Sequence, residues 1–178
     1  PLLAVVWRRR KRRFWSSMFS TEELNRVMPL DYPRHKLVNW SPAHYLMCDL
    51  NDFDVKIAAQ HEDYLSVLSQ YAHAGVAYTG IGEGKVYAMF GIYEYWKGSA
   101  EAWLIPSKHI GRKTLSFHRT ALQFFELAAN RMGIKRLQFV IHSDNVPAVK
   151  WAERCYFESE GTMRRYGPDG SDYKIYSR

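Results

Sequence analysis

Cysteine is scarce in this 178-residue sequence, which contains only Cys48 and Cys155. This argues against a disulfide framework and suits a reducing compartment. No apolar run approaches the roughly 20 residues that are needed to span a membrane. The seven histidines and two cysteines lack metal-ligand spacing, so we expect no metal site. The sequence also has neither a P-loop nor a nucleophile elbow, which argues against the enzymes built on those motifs.

Excess basic charge is also missing from most of the chain. The formal net charge is +7, but the cluster Arg8–Arg13 supplies six of the 25 lysines and arginines, and the remaining 19 nearly balance 18 acidic residues. Nucleic-acid or acidic-lipid binding is therefore expected only through Arg8–Arg13. With Met18 and Met28 as candidate start positions, we expect residues 1–27 to be a basic extension that is either non-native or disordered. Residues 28–178 are long enough for one domain.

Hydrophobic periodicity predicts an α/β domain with a mixed sheet that is covered by helices on both faces. A glycine turn at Gly80–Gly84 and a second turn at Gly167–Gly170 separate two pairs of predicted strands. The predicted strands are Lys36–Trp40, Val76–Thr79, Lys85–Trp96, Ala100–Ile105, Leu137–Ile141, Glu158–Arg165 and Asp172–Tyr176. The predicted helices are Ala43–Leu50, Val55–Ala74, Leu115–Met132 and one that begins at Pro147.

The stretch Ile134–Phe157 organises the rest of this pattern. It contains a short apolar strand, a polar break at His142–Asn145, a helix and an aromatic pair at Tyr156-Phe157. Pro147 suits the first turn of a helix, where its missing N–H is not needed. Asn145 suits the N-cap of that helix.

Several short motifs in this order resemble the GNAT superfamily of acyl-CoA-dependent N-acyltransferases. They are Leu104-Ile105-Pro106, the helix Leu115–Met132 with Gly133 behind it, Asn145-Val146-Pro147-Ala148, Phe157, and Glu160-Gly161 with Arg164-Arg165-Tyr166. The resemblance covers about Lys36–Arg178. It implies a mixed, mostly antiparallel sheet with helices on both faces.

The resemblance also implies acetyl-CoA as cofactor. The phosphate loop would be Ser107–Thr114, with His109 near the position of the family's Arg or Gln, and with Gly111 where the family has two or three glycines. The residues implied in cofactor binding are Ile105, His109, Gly111, Arg112, Lys113, Thr114 and Asn145. The alternative for the loop is a solvated segment with ordinary basic residues. For Asn145 it is a plain N-cap.

Catalysis in this family needs a base that takes a proton from the amine and, in many members, a tyrosine that protonates the thiolate. Glu101, in an otherwise apolar strand, is the candidate base, and Glu94 is a second candidate. Ala152 occupies the usual tyrosine position, and Tyr156 replaces the glycine before Phe157. Tyr156 is therefore the candidate acid from a shifted position. The alternatives are an ion-paired or outward-facing Glu101 and a packed aromatic Tyr156.

A second resemblance is to GNAT-like proteins of tailed bacteriophages, typified by the podophage internal virion protein A. It depends on Asn51–Asp54, Ala100–Pro106 and Tyr166–Gly170. Two functions follow. One is an acetyl-CoA-dependent N-acetyltransferase of an amine acceptor. The other is a catalytically degenerate virion or host-interaction protein with a protein partner. The implied location is the cytoplasm of a bacterial host, or the virion.

Overall fold

The computed structural model describes residues 19–31 and 33–178 as one seven-stranded sheet with helices on both faces. The strands are β1 (His35–Asn39), β2 (Gly75–Gly82), β3 (Lys85–Trp96), β4 (Ser99–Pro106), β5 (Arg136–His142), β6 (Glu158–Met163) and β7 (Tyr173–Ser177). The helices are α1 (Thr21–Val27), α2 (Pro42–Leu46), α3 (Asp52–Ala59), α4 (Tyr64–Ala74), α5 (Thr114–Met132) and α6 (Val146–Arg154), and a 3-10 turn at Ile110–Lys113 leads into α5. This confirms the predicted fold class.

The strand order is β1-β2-β3-β4-β5-β7-β6, and every neighbouring pair is antiparallel except β4 and β5. These two parallel strands pair only from Ser99–Arg136 to Glu101–Gln138. Beyond that point β4 continues to Pro106 and β5 to His142, so the strands diverge as a fork. We call the Glu101–Gln138 end of the fork its closed end and the Pro106–His142 end its open end. The edges of the two strands inside the fork are not paired with each other.

The two sheet faces carry separate cores. One core lies under α1, α5 and α6 and includes Leu37, Ala102 and Phe139. The other lies under α2 and α4 and includes Leu68, Met89 and Trp103. Because successive residues of a strand point to opposite faces, Glu101 and Gln138 share the α4 face, whereas Ala102 and Phe139 share the α5 face. No helix of the described ranges is long and apolar enough to cross a membrane.

The expected domain boundary at Met28 needs correction. Phe19 and Leu24 are fully buried in the α5-face core, and Glu23 forms a two-bonded ion pair with Arg131 of α5. The hydroxyl of Tyr78 also donates to the Phe19 carbonyl at 2.9 Å. Residues 19–27 are therefore part of the folded unit. The cluster Arg8–Arg13 lies outside the described residues.

The long helix predicted over Val55–Ala74 is also wrong, because the structure divides it into α3 and α4. The first helix ends at Ala59, and Asp63 caps α4 by accepting from the Ser66 N–H at 3.0 Å. An aspartate in mid-helix competes with the backbone for hydrogen bonds, which favours an N-cap. The division matters because it allows α3 to lie across the open end of the fork.

Candidate functional site

Glu101 lies at the closed end of the fork, at the last paired position of β4. Its Oε1 accepts from the Tyr93 hydroxyl at 2.8 Å, and its Oε2 accepts from the Gln138 amide at 3.0 Å and from the Tyr95 hydroxyl. An ionised carboxylate offers about four lone-pair sites. Three donors therefore fix the Glu101 carboxylate and leave one acceptor site on Oε1.

The residues around Glu101 are themselves held in place. Arg136 donates to Gln138 Oε1 at 3.3 and 3.4 Å, which turns the Gln138 amide nitrogen towards Glu101. Burial raises the pKa of Tyr93, and burial with the Glu101 hydrogen bond raises the pKa of Tyr95 to about 12. Both hydroxyls therefore stay protonated and keep donating at neutral pH. The carboxylate of Glu94 instead accepts from the Gly98 N–H at 3.0 Å in the β3–β4 turn.

A small cavity of about 20 Å³ lies beside the fork, between the sheet and helices α5 and α6. Its lining includes Leu104 and Phe139, one from each diverging strand. Two lining residues carry buried polar atoms without a hydrogen-bond partner among the described residues: Thr120 Oγ1 and Trp151 Nε1. A buried unpaired donor costs about 1–3 kcal/mol. A ligand with amide or thioester carbonyls would relieve part of that cost.

The segment Ser107–Thr114 follows β4 at the open end of the fork. Its first four amide groups already donate within the protein: Ser107 N–H to the Tyr87 carbonyl, Lys108 N–H to the Asp49 carbonyl, His109 N–H to Ser107 Oγ and Ile110 N–H to the Ser107 carbonyl. A phosphate cradle is therefore restricted to the amides of Gly111–Thr114. A Cβ on Gly111 would meet no atom within 4 Å, so this backbone faces open space.

The polar side chains of this segment are largely engaged. His109 Nε2 lies 2.6 Å from Asp49 Oδ2, and Lys108 Nζ lies 3.3 Å from Asp49 Oδ1. These two contacts hold the pKa of the Asp49 carboxyl below its ordinary value. Thr114 Oγ1 donates to the Gly111 carbonyl at 2.8 Å. The side chains of Arg112 and Lys113 lie outside the described part.

Asn145 and Ile105 occupy the two arms of the fork. The Asn145 side chain accepts from the Ala148 N–H at 3.2 Å and caps α6, as its sequence position predicts. Ile105 is buried, with its side chain in the α4-face core. Its backbone pairs with Met89 of β3, and the N–H two residues later also donates to β3, so the N–H and C=O of Ile105 point to β3 and not into the fork. A ligand in the fork would instead meet the backbone of Leu104, which points to the other edge of the strand.

Comparison with known proteins identifies this architecture. No protein-family model and no curated protein sequence matches the chain. Among solved structures, it is similar to a GNAT-family acetyltransferase from Bacillus anthracis, with a TM-score of 0.63, 16% identity and coverage of 82% of this chain and 94% of that one. The chain has the fold of the GNAT acetyltransferases.

Two further similar structures with the GNAT fold hold the cofactor. RimL, a ribosomal L7/L12 α-N-protein acetyltransferase, was solved in complex with coenzyme A and matches with a TM-score of 0.60, 15% identity and coverage of 85% and 97%. A GNAT-family acetyltransferase from Elizabethkingia anophelis, solved with acetyl-CoA, matches with a TM-score of 0.59, 9% identity and coverage of 82% and 97%.

Tyr156 lies away from the Glu101 network in this GNAT fold. It follows α6, which packs through Trp151 on Phe139 and hence on the face of the sheet opposite Glu101. Its side chain is 73% exposed, and its φ of 65° is left-handed. The amides of Tyr156 and Phe157 donate to the carbonyls of Glu153 and Ala152, which is a Schellman C-cap. Tyr156 therefore ends a helix at the position that the family gives to glycine.

The sequence analysis missed Asp54. Asn51 caps α3, and its side-chain amide donates both to the Pro106 carbonyl of β4 at 3.1 Å and to Asp54 Oδ2 at 2.5 Å. Phe53 contacts the His142 ring of β5, 5.1 Å between centroids, so α3 spans the open end of the fork on the α4 face. Burial raises the pKa of Asp54 to about 6. An acidic residue in the first helical turn is ordinary, so the sequence alone gave no signal for this burial.

Proposed function

We propose that this protein is an acetyl-CoA-dependent N-acetyltransferase that acts on an amine. The observation that carries the proposal is the fork itself: a hydrogen-bonded carboxylate, Glu101, lies where β4 and β5 part, and unpaired buried donors lie beside the same opening. The GNAT fold of the chain and the cofactor in two similar structures support it.

Each end of the fork has a separate task in this proposal. Bound acetyl-CoA would supply the acetyl group as a thioester. Glu101 accepts the proton of the acceptor amine at the free site on Oε1, while Tyr93 and Tyr95 hold the carboxylate in position. The Leu104 backbone and Trp151 Nε1 bond to the pantetheine arm.

The phosphate end uses the backbone. The amides of Gly111–Thr114, at the entry into α5, face an anion with the positive end of the helix dipole. Asn145 orients the start of α6 beside the pantetheine arm. His109 can bind the phosphate only after its hydrogen bond with Asp49 breaks.

The residues fit the polar features of the cofactor, but the space is narrow. A cavity of about 20 Å³ holds one water molecule. The rings of Phe117 and Trp151 stack at 5.5 Å between centroids and line this cavity. Both side chains are only partly buried, so they can turn outward. We therefore propose that cofactor binding moves the Phe117 ring outward, while Trp151 Nε1 stays in the cavity and bonds to the cofactor.

The second candidate is a protein that keeps the GNAT fold without the reaction, as a virion or host-interaction protein. The observation that favours it is the occupied phosphate loop, in which Asp49 holds both Lys108 and His109. Ala152 stands at the position where many family members have a proton-donating tyrosine, and alanine cannot donate a proton. This also favours the second candidate. The phage origin stays a prediction.

Calorimetric titration of acetyl-CoA into the full chain tests the two candidates. We expect a dissociation constant in the micromolar range, about −8 kcal/mol. Asn145→Ala should weaken binding about tenfold, whereas Leu46→Ala, at an exposed position of α2, should leave it unchanged. No heat and no thermal shift at millimolar acetyl-CoA would reject the acetyltransferase and favour the second candidate.

A further inference from the structure

A second, larger cleft of about 190 Å³ lies on the α5 face, over β1, β2 and β3 and beside the start of α5. Most of its wall is apolar, with Leu37, Ile81, Phe90, Ile110 and Phe117. Exposed Asp31 and Lys36 lie at its rim, so a ligand can enter from solvent. Neither the Glu101 network nor the proposed phosphate loop uses this space.

The cleft exists because small side chains and a bulge interrupt the sheet. Gly80 pairs with Ala88, and Ile81 pairs with Val86, so Tyr87 is an extra residue in β3. A β-bulge re-aims its side chain. Tyr87 thus joins Ala88 in lining the cleft on the α5 face, and its hydroxyl donates to Glu83 at 3.2 Å. The paired Gly80 and Ala88 carry little or no side chain, so this part of the sheet leaves space under α5 unfilled.

Two buried polar atoms in the lining have no partner among the described residues. His35 is 9% exposed and its Nε2 is unpaired, and Thr120 is 4% exposed with its Oγ1 unpaired. Asp31 Oδ2 lies 3.8 Å from His35 Nδ1, which favours a proton on Nδ1 and leaves Nε2 as an acceptor. Buried polar groups are normally hydrogen-bonded, so two unpaired ones in one cleft indicate a ligand that would pair with them.

We propose that this cleft binds a single-ring aromatic molecule that carries a hydroxyl group. An apolar cavity of 150 Å³ in another protein takes up benzene, so this volume suits one ring. A phenolic hydroxyl is both donor and acceptor, and it matches an imidazole acceptor and a threonine hydroxyl. The ring lies against Phe90 and Phe117, and the hydroxyl donates to His35 Nε2.

The cleft is distinct from the cofactor cavity, although Phe90, Phe117 and Thr120 line both. The cofactor cavity adjoins β4, β5 and α6, whereas the cleft adjoins β1, β2 and β3. Variants that test the cleft alone are therefore made at His35 and Ala88, which line only the cleft.

The experiment compares p-cresol with toluene, which differ by one hydroxyl, by ligand-observed NMR and thermal shift on the full chain. We expect p-cresol to bind about tenfold more tightly than toluene. His35→Leu should bring p-cresol down to the affinity of toluene. Ala88→Leu should fill the cleft, abolish binding of both probes and keep or raise the melting temperature, which separates loss of the site from loss of the fold.

Equal affinity for the two probes, or no binding of either, would overturn the proposal. Binding of p-cresol that survives Ala88→Leu would also overturn it, because the ligand would then lie elsewhere. The titration with acetyl-CoA is independent of these results, so failure of the cleft proposal leaves the acetyltransferase proposal standing.

Discussion

The two ends of the β4–β5 fork differ in how their polar groups are used. At the closed end, Glu101 is fixed by Tyr93, Tyr95 and Gln138 and keeps one acceptor site towards the fork. At the open end, Lys108 and His109, two described side chains that could meet a phosphate, are bonded to Asp49. The closed end thus offers an acceptor site to a reacting group, whereas Lys108 and His109 at the open end already have an anionic partner within the chain.

This difference predicts that cofactor affinity and turnover depend on different ends of the fork. If the closed end works as proposed, changes there should alter turnover and leave cofactor affinity nearly constant. Changes at the open end should alter affinity or stability and leave the chemical step nearly constant. A protein that has kept only the fold would show neither pattern.

Glu101→Gln should have the largest effect. The amide cannot take a proton from the amine, so we expect turnover to fall at least 100-fold while the acetyl-CoA dissociation constant changes less than threefold. Turnover is measured by thiol release with a panel of amines. Gln138→Leu is the matched control, because it removes one donor to Glu101 but leaves the carboxylate. Full activity of Glu101→Gln would remove Glu101 as the base.

Asp54→Asn should change stability in a pH-dependent way at the open end. The folded-state pKa of Asp54 is raised to about 6, above the unfolded value near 3.9, so the folded state binds more protons between pH 4 and 6. The free energy of unfolding therefore falls as pH rises through this window and is constant above it. The asparagine variant should be about 1–2 kcal/mol more stable than the natural chain at pH 8 and no more stable at pH 4.

Urea unfolding at pH 4 and pH 8 measures this difference. Asp52→Asn, on the exposed side of the same helix turn, is the control and should show almost no pH-dependent change. If Asp54→Asn changed the free energy of unfolding equally at both pH values, burial would not raise the free energy of the ionised Asp54 carboxylate.

Asp49→Asn should raise affinity for acetyl-CoA at the open end. The substitution removes the negative charge that holds Lys108 and His109, so both become available to phosphate oxygens. We expect a threefold to tenfold lower dissociation constant at low salt and a smaller gain at high salt, because these groups are exposed. Lys108→Gln in the Asp49→Asn background should cancel most of the gain. Unchanged affinity would mean that phosphate does not approach this loop.

The sequence predicted the parts of this molecule that depend on local patterns. The seven strands along the chain, the cap at Asn145 and the helix predicted over Leu115–Met132 follow from periodicity and turn chemistry, and the structure confirms them, with the helix beginning one residue earlier at Thr114. The structure also brings Glu101 to the point where the strands part. The pairing of Asp49 with His109 crosses 60 residues, and the burial of Asp54 depends on α3 lying across the fork. Such long-range contacts leave no local signal.

Residues 19–27 illustrate the same limit. Their sequence resembles a polar extension, because one helix of seven residues carries Glu22, Glu23 and Arg26. The packing of Phe19 against Phe124, at 6.4 Å between ring centroids, and the burial of Leu24 place them in the core. One or two apolar side chains in a short segment form no periodic pattern, so their burial becomes visible only in the folded structure with the helix on which they pack.

Tyr156→Gly should give the smallest effect and sharpens the comparison at the closed end. Tyr156 adopts a φ of 65° in the Schellman cap of α6, where a side chain is strained by about 1 kcal/mol and glycine is not. We therefore expect a stability gain of about 1 kcal/mol, seen as a higher urea midpoint, with unchanged turnover. Tyr156→Ala keeps the Cβ and removes the ring, so it should not gain stability. If both variants lost turnover equally, the Tyr156 ring would be the general acid in place of Ala152. The reaction would then use groups on both faces of the sheet.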